Sequence, residues 1–334
     1  MSMGIKIGVI GLGRAGEKHA LTYHKLPLVN LAAICDQDEK RLNFYCQKLG
    51  TKGYRDYREL LADESIDAVS IVMPDTLHLD VTRAAIEKKK HILLEKPIAS
   101  TLEDGKKICE LAEKSERVFM VAHILRFMAA HSLAYKSISA GEIGDIVHIC
   151  ARRNSTIAGA EMYSSHHTDT HIHLMVHDID YINWITRSRA RKVYAKGRQI
   201  LLKTLNMRDA VLATVEYENG VVAVIEACWI LPANSPFELD DRMEIVGTKG
   251  ALYLDGICRG LDIVSQNKVT RPDTVAWPEV NGVVGGSIFE ELTAFVNCVI
   301  SNQKPLIGAR EALEALVVAD AIDRSIKEGR EIIL

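Results

Sequence analysis

A glycine-rich segment near the start of the chain has the spacing G-x-G-x-x-G and consists of Gly11, Leu12, Gly13, Arg14, Ala15 and Gly16. It follows an apolar run at 5–10 and precedes an amphipathic stretch at 14–26, the strand–turn–helix setting that this motif needs. The first glycine permits a tight turn, the second lets the backbone approach a pyrophosphate, and the third lets the helix pack on the strand. Because the N–H groups at the start of that helix attract phosphates, the segment predicts a dinucleotide site.

An acidic residue, Asp36, follows the next predicted strand, at 31–35, and lies 20 positions after Gly16. A carboxylate at this distance binds the ribose hydroxyls of adenosine in dinucleotide sites. Since the same carboxylate would repel a 2′-phosphate, we favour NAD over NADP. Lys40 and Arg41, one turn further on, keep NADP open. The simpler alternative is that Asp36 only caps the next helix.

A lysine stands at the end of another predicted strand, in the segment Glu95-Lys96-Pro97. Ligands of open α/β sheets bind at the carboxyl ends of the strands, so Lys96 is a candidate catalytic cation beside a nicotinamide. Pro97 restricts the backbone that carries it. The alternative is a solvated surface lysine before a turn.

Histidines are concentrated between residues 166 and 177, where the chain has His166, His167, His171, His173 and His177. If 169–184 is helical, Asp169, His173 and His177 share one face. An imidazole titrates near neutral pH and therefore suits a general base. Three interpretations of His173 stay open: a substrate-binding or proton-relay group, a buried structural histidine, or a ligand of a divalent metal together with Asp169 and His177.

The elements that would position these residues change in character along the chain. Across 1–122, alternating strand and helix patterns indicate a parallel sheet with helices on both faces. The predicted strands there are 5–10, 31–35, 67–73, 91–94 and 118–122, and the predicted helices are 14–26, 39–49, 77–89 and 102–115.

From residue 123 to 334, longer alternating strands and a hairpin signal at Asn219-Gly220 predict a mostly antiparallel sheet. The predicted strands are 146–153, 192–204, 210–218, 221–229, 242–246 and 251–254, and the predicted helices are 126–140, 288–301 and 310–328.

Composition excludes several classes of protein. The chain has 334 residues, of which 48% are hydrophobic, so it can form a sizeable core and is not disordered as a whole. Its net charge of −3 supplies no positive field for nucleic acid or an anionic membrane. The seven cysteines are scattered and form no Cys-x-x-Cys pair, which argues against a disulfide framework. With no secretory signal pattern, a cytoplasmic protein is expected.

Together these motifs resemble the Gfo/Idh/MocA (glucose–fructose oxidoreductase / inositol dehydrogenase) family, and the resemblance covers nearly the whole chain. The segments that carry it are the glycine motif, Asp36, Pro74-Asp75-Thr76-Leu77-His78, Glu95-Lys96-Pro97, Val176-His177-Asp178-Ile179-Asp180 with Trp184, and the closing helix at 311–325.

The resemblance implies an α/β protein with an N-terminal Rossmann domain at 1–122. A C-terminal α/β domain at 123–334 would carry a large, mostly antiparallel open sheet that forms a homodimer or homotetramer. The last helix is expected to pack back on the Rossmann domain. The implied reaction is oxidation of a secondary alcohol of a sugar, cyclitol or sugar nucleotide, with the hydride passing to the nicotinamide. Cofactor contacts are also expected from Pro74, Thr76, His78, Glu95 and Lys96.

By the same resemblance, His177 is the catalytic base and Lys96 binds the hydroxyl that it deprotonates. The family usually has an aspartate four residues before that histidine, and here the position is His173. Arg126 lies where relatives line the sugar pocket, and Arg153 and Tyr163 are further substrate-binding candidates. For the arginines, ordinary surface cations are the alternative.

Two other functions remain open from the sequence. A redox-neutral enzyme would use tightly held NAD for transient oxidation that permits epimerisation, elimination or glycoside cleavage. A cofactor-binding regulator would use the same scaffold without turnover. The presence of Lys96 and His177 argues against the regulator, whereas the replacement at His173 argues for it.

Overall fold

A computed structural model describes residues 4–164, 169–256 and 260–334. The chain divides into two units: the first comprises Met1–Phe127 and Ala276–Leu313, and the second comprises Met128–Val275 and Glu314–Leu334. Among the helices of these described ranges, none is long and apolar enough to cross a bilayer.

The first unit contains a six-stranded parallel sheet in the order β3-β2-β1-β4-β5-β6. Its strands are β1 (Ile5–Ile10), β2 (Val29–Cys35), β3 (Lys52–Tyr54), β4 (Ala68–Ile71), β5 (His91–Glu95) and β6 (Phe119–Ala122). The helices between them are α1 (Arg14–Tyr23), α2 (Glu39–Leu49), α3 (Tyr57–Ala62), α4 (His78–Glu87) and α5 (Leu102–Glu113). The predicted doubly covered parallel sheet is therefore confirmed.

The apolar runs of the sequence become the central strands because both faces of a parallel sheet are covered. Ile7, Val9 and Leu93 are fully buried in one core. The strand order reverses between β1 and β4, so the carboxyl ends of these two strands flank the crevice where ligands of such sheets bind. The short β3 and α3 lie where the sequence pattern predicted no element.

A later segment also belongs to the first unit, so the predicted division at residue 122 needs correction. The helix α9 (Ser287–Ser301) contributes Leu292 and Phe295, both fully buried, to the same core as the parallel sheet. Two short strands, β15 (Glu279–Val280) and β16 (Val283–Val284), precede it. The sequence pattern shows that 288–301 is amphipathic, but periodicity cannot say which sheet covers its apolar face.

The second unit is built on a seven-stranded mixed sheet in the order β12-β11-β7-β10-β9-β8-β17. Its strands are β7 (Ile146–Thr156), β8 (Ala190–Arg198), β9 (Ala210–Tyr217), β10 (Val222–Leu231), β11 (Leu239–Gly247), β12 (Ala251–Asp255) and β17 (Ile332–Ile333). Only β7 and β10 run parallel; the other pairs are antiparallel, which confirms the predicted mostly antiparallel sheet. A separate two-strand ribbon pairs β13 (Ile263–Val264) with β14 (Val269–Thr270).

The helices of the second unit are α6 (Ala129–Ser139), α7 (Ile157–Tyr163) and α8 (Val176–Thr186), with a π-helical segment at His171–Met175. The last helix, α10 (Ala309–Glu328), begins in the first unit and continues into the second at Glu314. Two predicted elements were too long: the helix at 126–140 is preceded by a 3₁₀ turn, Ile124–Phe127, and the strand at 192–204 ends at Arg198.

Candidate active site

The glycine-rich loop has the geometry that its sequence predicts. Gly11 has φ +94°, and a Cβ there would lie 2.2 Å from the carbonyl oxygen of Val72. A Cβ on Gly16 would lie 2.0 Å from the carbonyl oxygen of Gly11. Both positions therefore exclude any side chain. A Cβ on Gly13 would meet no described atom within 4 Å, so the space beside this residue is open.

This loop fits the pyrophosphate of a dinucleotide. Gly13 is the N-cap of α1 and has no side chain with which to cap it, so the first N–H groups of the helix face the open space. Leu12, Arg14 and Ala15 form the remainder of the loop and the first turn. Arg14 also packs against Trp277, with its guanidinium 5.8 Å from the ring centre.

Asp36 follows β2 and is tied to the same loop. One carboxylate oxygen accepts the Leu12 N–H at 2.8 Å, and the other accepts the Asp38 N–H at 2.8 Å. The guanidinium of Arg41 lies 3.3 Å from Asp36, with its own side chain 43% exposed. It is Asp38, not Asp36, that caps α2, because its carboxylate accepts the N–H groups of Lys40 and Arg41. The capping alternative for Asp36 is therefore wrong.

The Glu95-Lys96-Pro97 segment leaves the carboxyl end of β5, and its Lys96–Pro97 peptide bond is cis. Glu95 accepts the Lys96 N–H at 3.0 Å, and its other oxygen lies 3.2 Å from His19. Burial alone would raise the pKa of Glu95, but the hydrogen bond from His19 and the charge of Lys96 leave this pKa below its usual value. The half-buried Lys96 thus lies beside an ionised carboxylate.

The segment Pro74–His78 follows β4 and contains a 3₁₀ turn at Asp75–Leu77. Thr76 is exposed and Pro74 is half-buried, so both are accessible to a cofactor, and their predicted contacts with it stay a prediction. His78 is different, with only 1% exposed. Its ring nitrogens face main-chain carbonyls, those of Met73 and Pro97, each at 3.0 Å. The predicted direct contact of the His78 side chain with the cofactor is therefore wrong; this ring braces the backbone.

In the second unit, His173 lies in an aromatic cluster. Its ring centre is 4.1 Å from that of Tyr163 and 5.6 Å from that of Trp229. Trp229, near the end of β10, is 2% exposed, and its indole N–H has no hydrogen-bond acceptor among the described residues. Sequence reasoning missed Trp229, because its only signal is an aromatic residue near a strand end. The cluster presents aromatic ring faces together with the imidazole of His173 and the hydroxyl of Tyr163, both half-buried.

The predicted common face of Asp169, His173 and His177 is wrong. The segment after Asp169 is π-helical, and the two side chains have different partners: the His173 ring packs against Tyr163 and Trp229. Asp169 precedes this turn and instead accepts the Arg208 N–H at 2.8 Å and an ion pair from the Arg208 guanidinium. Burial would raise the pKa of Asp169, but hydrogen bonds and charges from His171 and Arg208 hold it well below the usual value.

The predicted metal set of Asp169, His173 and His177 consequently does not form. Within the described part of the chain, Asp169, His171 and Asp323 are instead the group close enough to share a cation. Its two carboxylates are already neutralised by Arg208 and Lys327, which lie 2.7 Å and 2.6 Å from Asp323. His166 and His167 of the sequence cluster lie outside the described residues.

His177 lies in the first turn of α8, half-buried, and the next residue anchors that helix. Asp178 is 2% exposed and makes a bidentate pair with Arg153, at 2.7 Å and 2.9 Å. Burial nonetheless raises the pKa of Asp178 despite this partner. Arg153 is 4% exposed and also lies 4.0 Å from Asp241. The predicted role of Arg153 in substrate binding is therefore wrong: its guanidinium is committed to holding α8 on β7.

Arg126 is buried in the first unit and donates to the Leu306 carbonyl at 3.3 Å. Its substrate contact stays a prediction. Asn154, the residue after Arg153, points to the other face of β7, where its amide donates to Glu226 at 2.8 Å. Its carbonyl oxygen is buried on that face without a hydrogen-bond donor among the described residues.

Comparison with known proteins agrees with this arrangement. Residues 5–123 match the family model described as "Oxidoreductase family, NAD-binding Rossmann fold", and residues 131–253 match the "GFO/IDH/MocA C-terminal domain". The chain is 25% identical to a myo-inositol 2-dehydrogenase of Thermotoga maritima over 98% of both chains. It is 26% identical to a scyllo-inositol 2-dehydrogenase (NAD(+)) of Bacillus subtilis over 97% of this chain and 95% of the relative.

Among solved structures, scyllo-inositol dehydrogenase from Lactobacillus casei with bound NAD(H) and scyllo-inositol superposes with a TM-score of 0.85. The sequences are 25% identical, and the match covers 99% of each chain. The glycine loop, the lysine after β5 and the two matched domains lead to one conclusion: the chain belongs to the Gfo/Idh/MocA oxidoreductase family, with an NAD-binding Rossmann fold.

Proposed function

We propose that this protein oxidises a secondary alcohol of a cyclitol or closely related polyol, with NAD as the hydride acceptor. The observation that carries the proposal is the position of Lys96, directly after β5 in the parallel sheet whose first loop forms the dinucleotide cradle. Similarity to inositol dehydrogenases along nearly the whole chain supports a cyclitol substrate.

The reaction removes a proton from the hydroxyl and a hydride from its carbon, and a carbonyl group forms. Lys96 donates a hydrogen bond to the substrate oxygen and stabilises the negative charge that develops there. The imidazole of His177 accepts the hydroxyl proton as general base. Bound NAD would take up the hydride that leaves the carbinol carbon.

Substrate selection falls to the aromatic cluster of Tyr163, His173 and Trp229. A cyclitol has an apolar C–H face, which suits the ring faces, and hydroxyl edges, which suit the imidazole of His173 and the hydroxyl of Tyr163. By the family resemblance, His173 takes the place of an aspartate, so an acceptor-only group is replaced by one that donates and accepts. We propose that this replacement alters the set of accepted stereoisomers.

NAD selection falls to Asp36. Its carboxylate is fixed by two main-chain N–H groups, and a 2′-phosphate beside it would be repelled. The Arg41 guanidinium lies 3.3 Å from the same carboxylate, so it is a cation that could bind a 2′-phosphate in a variant without the Asp36 charge.

We also propose that the second unit forms a homodimer or homotetramer through the open face of its sheet. Cross-strand pairing places Tyr253, Val224 and Tyr194 in one row across that face. Their side chains are 72%, 41% and 43% exposed, and exposed large apolar side chains on one face are candidates for a subunit contact, although Glu244, Cys150 and Thr214 lie between them in the row. Light scattering should show an oligomer for wild type and a smaller species for Val224→Glu, and a monomeric wild type would contradict the proposal.

A cytoplasmic location is proposed as well. The described cysteines are all free thiols, which fits a reducing compartment.

The test is NADH formation with a panel of inositol isomers, other polyols, free sugars, glycosides and sugar nucleotides. Wild type should reduce NAD with at least one cyclitol, and Lys96→Ala should bind NAD without turning over. A parallel series with a chelator should leave the rate unchanged, because the carboxylates of the Asp169 group already pair with arginine and lysine. Conversion of a panel compound without net NADH would instead establish a redox-neutral enzyme.

A further inference from the structure

Two buried histidines of the first unit make contacts that the proposed reaction does not use. His19, on α1, is 1% exposed, and its Nε2 lies 3.2 Å from the Glu95 carboxylate. Its Nδ1 lies 2.8 Å from the Ser70 hydroxyl, which in turn lies 3.4 Å from the hydroxyl of Tyr23. The Glu95 carboxylate, at the end of this chain, accepts the main-chain N–H of Lys96 at 3.0 Å.

Every hydrogen bond in this series can form at once if each group donates to the next one toward Glu95. Tyr23 donates to Ser70, Ser70 donates to Nδ1 of His19, and Nε2–H of His19 donates to Glu95. The imidazole is then neutral and the carboxylate ionised, and no buried donor lacks an acceptor. Because a hydrogen bond to a charged acceptor is stronger than one between neutral groups, the direction toward Glu95 is the favourable one.

His78 holds the other side of the same segment. Its Nδ1 lies 3.0 Å from the carbonyl of Pro97 and 3.3 Å from that of Ile98, while Nε2 lies 3.0 Å from the carbonyl of Met73. The ring therefore joins the backbone after β4 to the backbone after β5. Burial lowers the pKa of His78, so the neutral ring has one N–H and donates a hydrogen bond to only one of the two sides.

We propose that His19 and His78 are positioning residues that hold the backbone of Lys96 from opposite sides. The inference rests on the proposed function, in which Lys96 binds the substrate hydroxyl. Both histidines belong to helices that begin beside the cofactor cradle, since α1 follows Gly13 and α4 follows the 75–77 turn. The lysine is thus fixed relative to the elements that bind the cofactor, although neither histidine touches substrate.

The first test compares His19→Leu with His19→Gln. Leucine removes the hydrogen bond to Glu95, whereas the glutamine amide can donate to Glu95 and accept from Ser70. We expect kcat to fall about 10- to 100-fold in His19→Leu, since a misplacement of about 1 Å can have that effect. His19→Gln should recover most of the loss, and the NAD dissociation constant should stay within about twofold in both variants.

His91→Leu is the matched control for a purely structural effect. His91 begins the same strand, β5, and its Nδ1 accepts the Val118 N–H at 3.0 Å, but it lies at the end of the strand away from Lys96. Its replacement should lower the melting temperature and leave kcat per folded enzyme unchanged. His78→Leu should behave like His19→Leu. Equal kcat in all three leucine variants would overturn the inference.

The pH profile of kcat distinguishes a positioning role from a loss of stability, because a smaller folded fraction lowers the rate without changing the pKa values in the profile. In His19→Leu, Glu95 stays buried without its donor, so its pKa rises and activity should be lost at low pH. Wild type and His19→Gln should not show this extra acidic limb. Unchanged profiles, with circular dichroism confirming a folded protein at each pH, would contradict a role for His19 through Glu95.

A double variant separates this inference from the proposed function. If His19 acts through Lys96, adding His19→Leu to Lys96→Ala should cause no further fall in the residual rate. A further fall of 10-fold or more, comparable to that in wild type, would overturn the positioning role and leave the function of Lys96 intact. Full activity of Lys96→Ala itself would overturn both.

Discussion

The two units of this protein hold their proposed reactive side chains in different ways. In the first unit, Glu95 precedes Lys96 and is held by hydrogen bonds from His19 and from the main chain. In the second, Asp178 follows His177 and is held by a bidentate ion pair with Arg153. In each unit, the carboxylate next to the reactive residue in the sequence is held in place. The reactive side chain is half-buried and remains accessible to substrate.

The difference lies in what each arrangement can tolerate. A chain of hydrogen bonds can be rebuilt by another donor, such as a glutamine amide. A buried ion pair cannot, because removing one partner leaves the other charged in a poorly solvated site. The first unit should therefore respond to substitution mainly in activity, and the second mainly in stability.

The largest expected effect is on activity, in the first unit. Lys96→Ala should lower kcat about 1000-fold, because both a positive charge and a hydrogen-bond donor at the developing alkoxide are lost. NADH fluorescence titration should show unchanged cofactor affinity, and thermal unfolding should be unaltered. A comparable loss of cofactor binding would place Lys96 in the cradle instead.

In the second unit, Arg153→Met should lower the free energy of unfolding by about 3–5 kcal/mol, since Asp178 would remain buried without its partner. Arg152→Met is the matched control on the same strand, because its side chain is 45% exposed and its partners are the partly exposed carboxylates of Glu226 and Asp240. The control should change stability by less than about 1 kcal/mol in urea titrations. Similar losses of unfolding free energy in the two variants would show that the buried Arg153–Asp178 pair is no more important for stability than a surface pair.

His131, in the second unit, should make the stability of the protein depend on pH. It packs edge-on against Tyr181, its Nδ1 has no partner among the described residues, and burial with the nearby Arg153 charge lowers its pKa to about 4. The unfolded chain takes up this proton near pH 6.5 and the folded protein only near pH 4, so stability present above pH 6.5 is lost as pH falls. The shift corresponds to about 3 kcal/mol.

The measurement is urea unfolding of wild type and His131→Phe at pH 7 and pH 4. Phenylalanine keeps the ring contact with Tyr181 and cannot titrate. The variant should lose about 3 kcal/mol less than wild type over this interval. Equal losses of unfolding free energy in the two proteins would mean that burial does not lower the pKa of His131.

The smallest expected effect concerns the cofactor. Asp36→Asn keeps an acceptor for the Leu12 N–H and removes the charge, so it should shift the ratio of kcat/KM for NAD over NADP about tenfold toward NADP. Asp36→Arg should shift the ratio further but also disturb the glycine loop, which loses that acceptor. A ratio unchanged in Asp36→Asn would show that selection resides elsewhere.

Much of the first unit follows from local sequence. Gly11, Gly16 and Asp36 could be identified because a strand, a tight turn and a helix follow one another directly, and the turn admits no side chain at two of the glycines. Lys96 could be identified because parallel strands bring their carboxyl ends to one edge of the sheet. His78 was assigned to the cofactor because its segment was recognised, but the direction of its ring depends on the neighbouring strand end.

The second unit depended far more on contacts between distant residues. Periodicity predicted that Asp169 would face His177, but the partner of Asp169 proved to be Arg208, 39 residues later. Trp229 joins Tyr163 and His173 only through the pairing of strands.

The sequence by itself determined the family, the two kinds of sheet and the cofactor loop, because those rest on short-range rules of turns and on hydrophobic periodicity. Only the tertiary structure decided that α9 covers the parallel sheet, that Arg153 is buried against Asp178, and that His19 and His78 contact the residues on either side of Lys96. The physical reason is that burial and ion pairing are set by which surfaces meet, and residue spacing along the chain does not specify that.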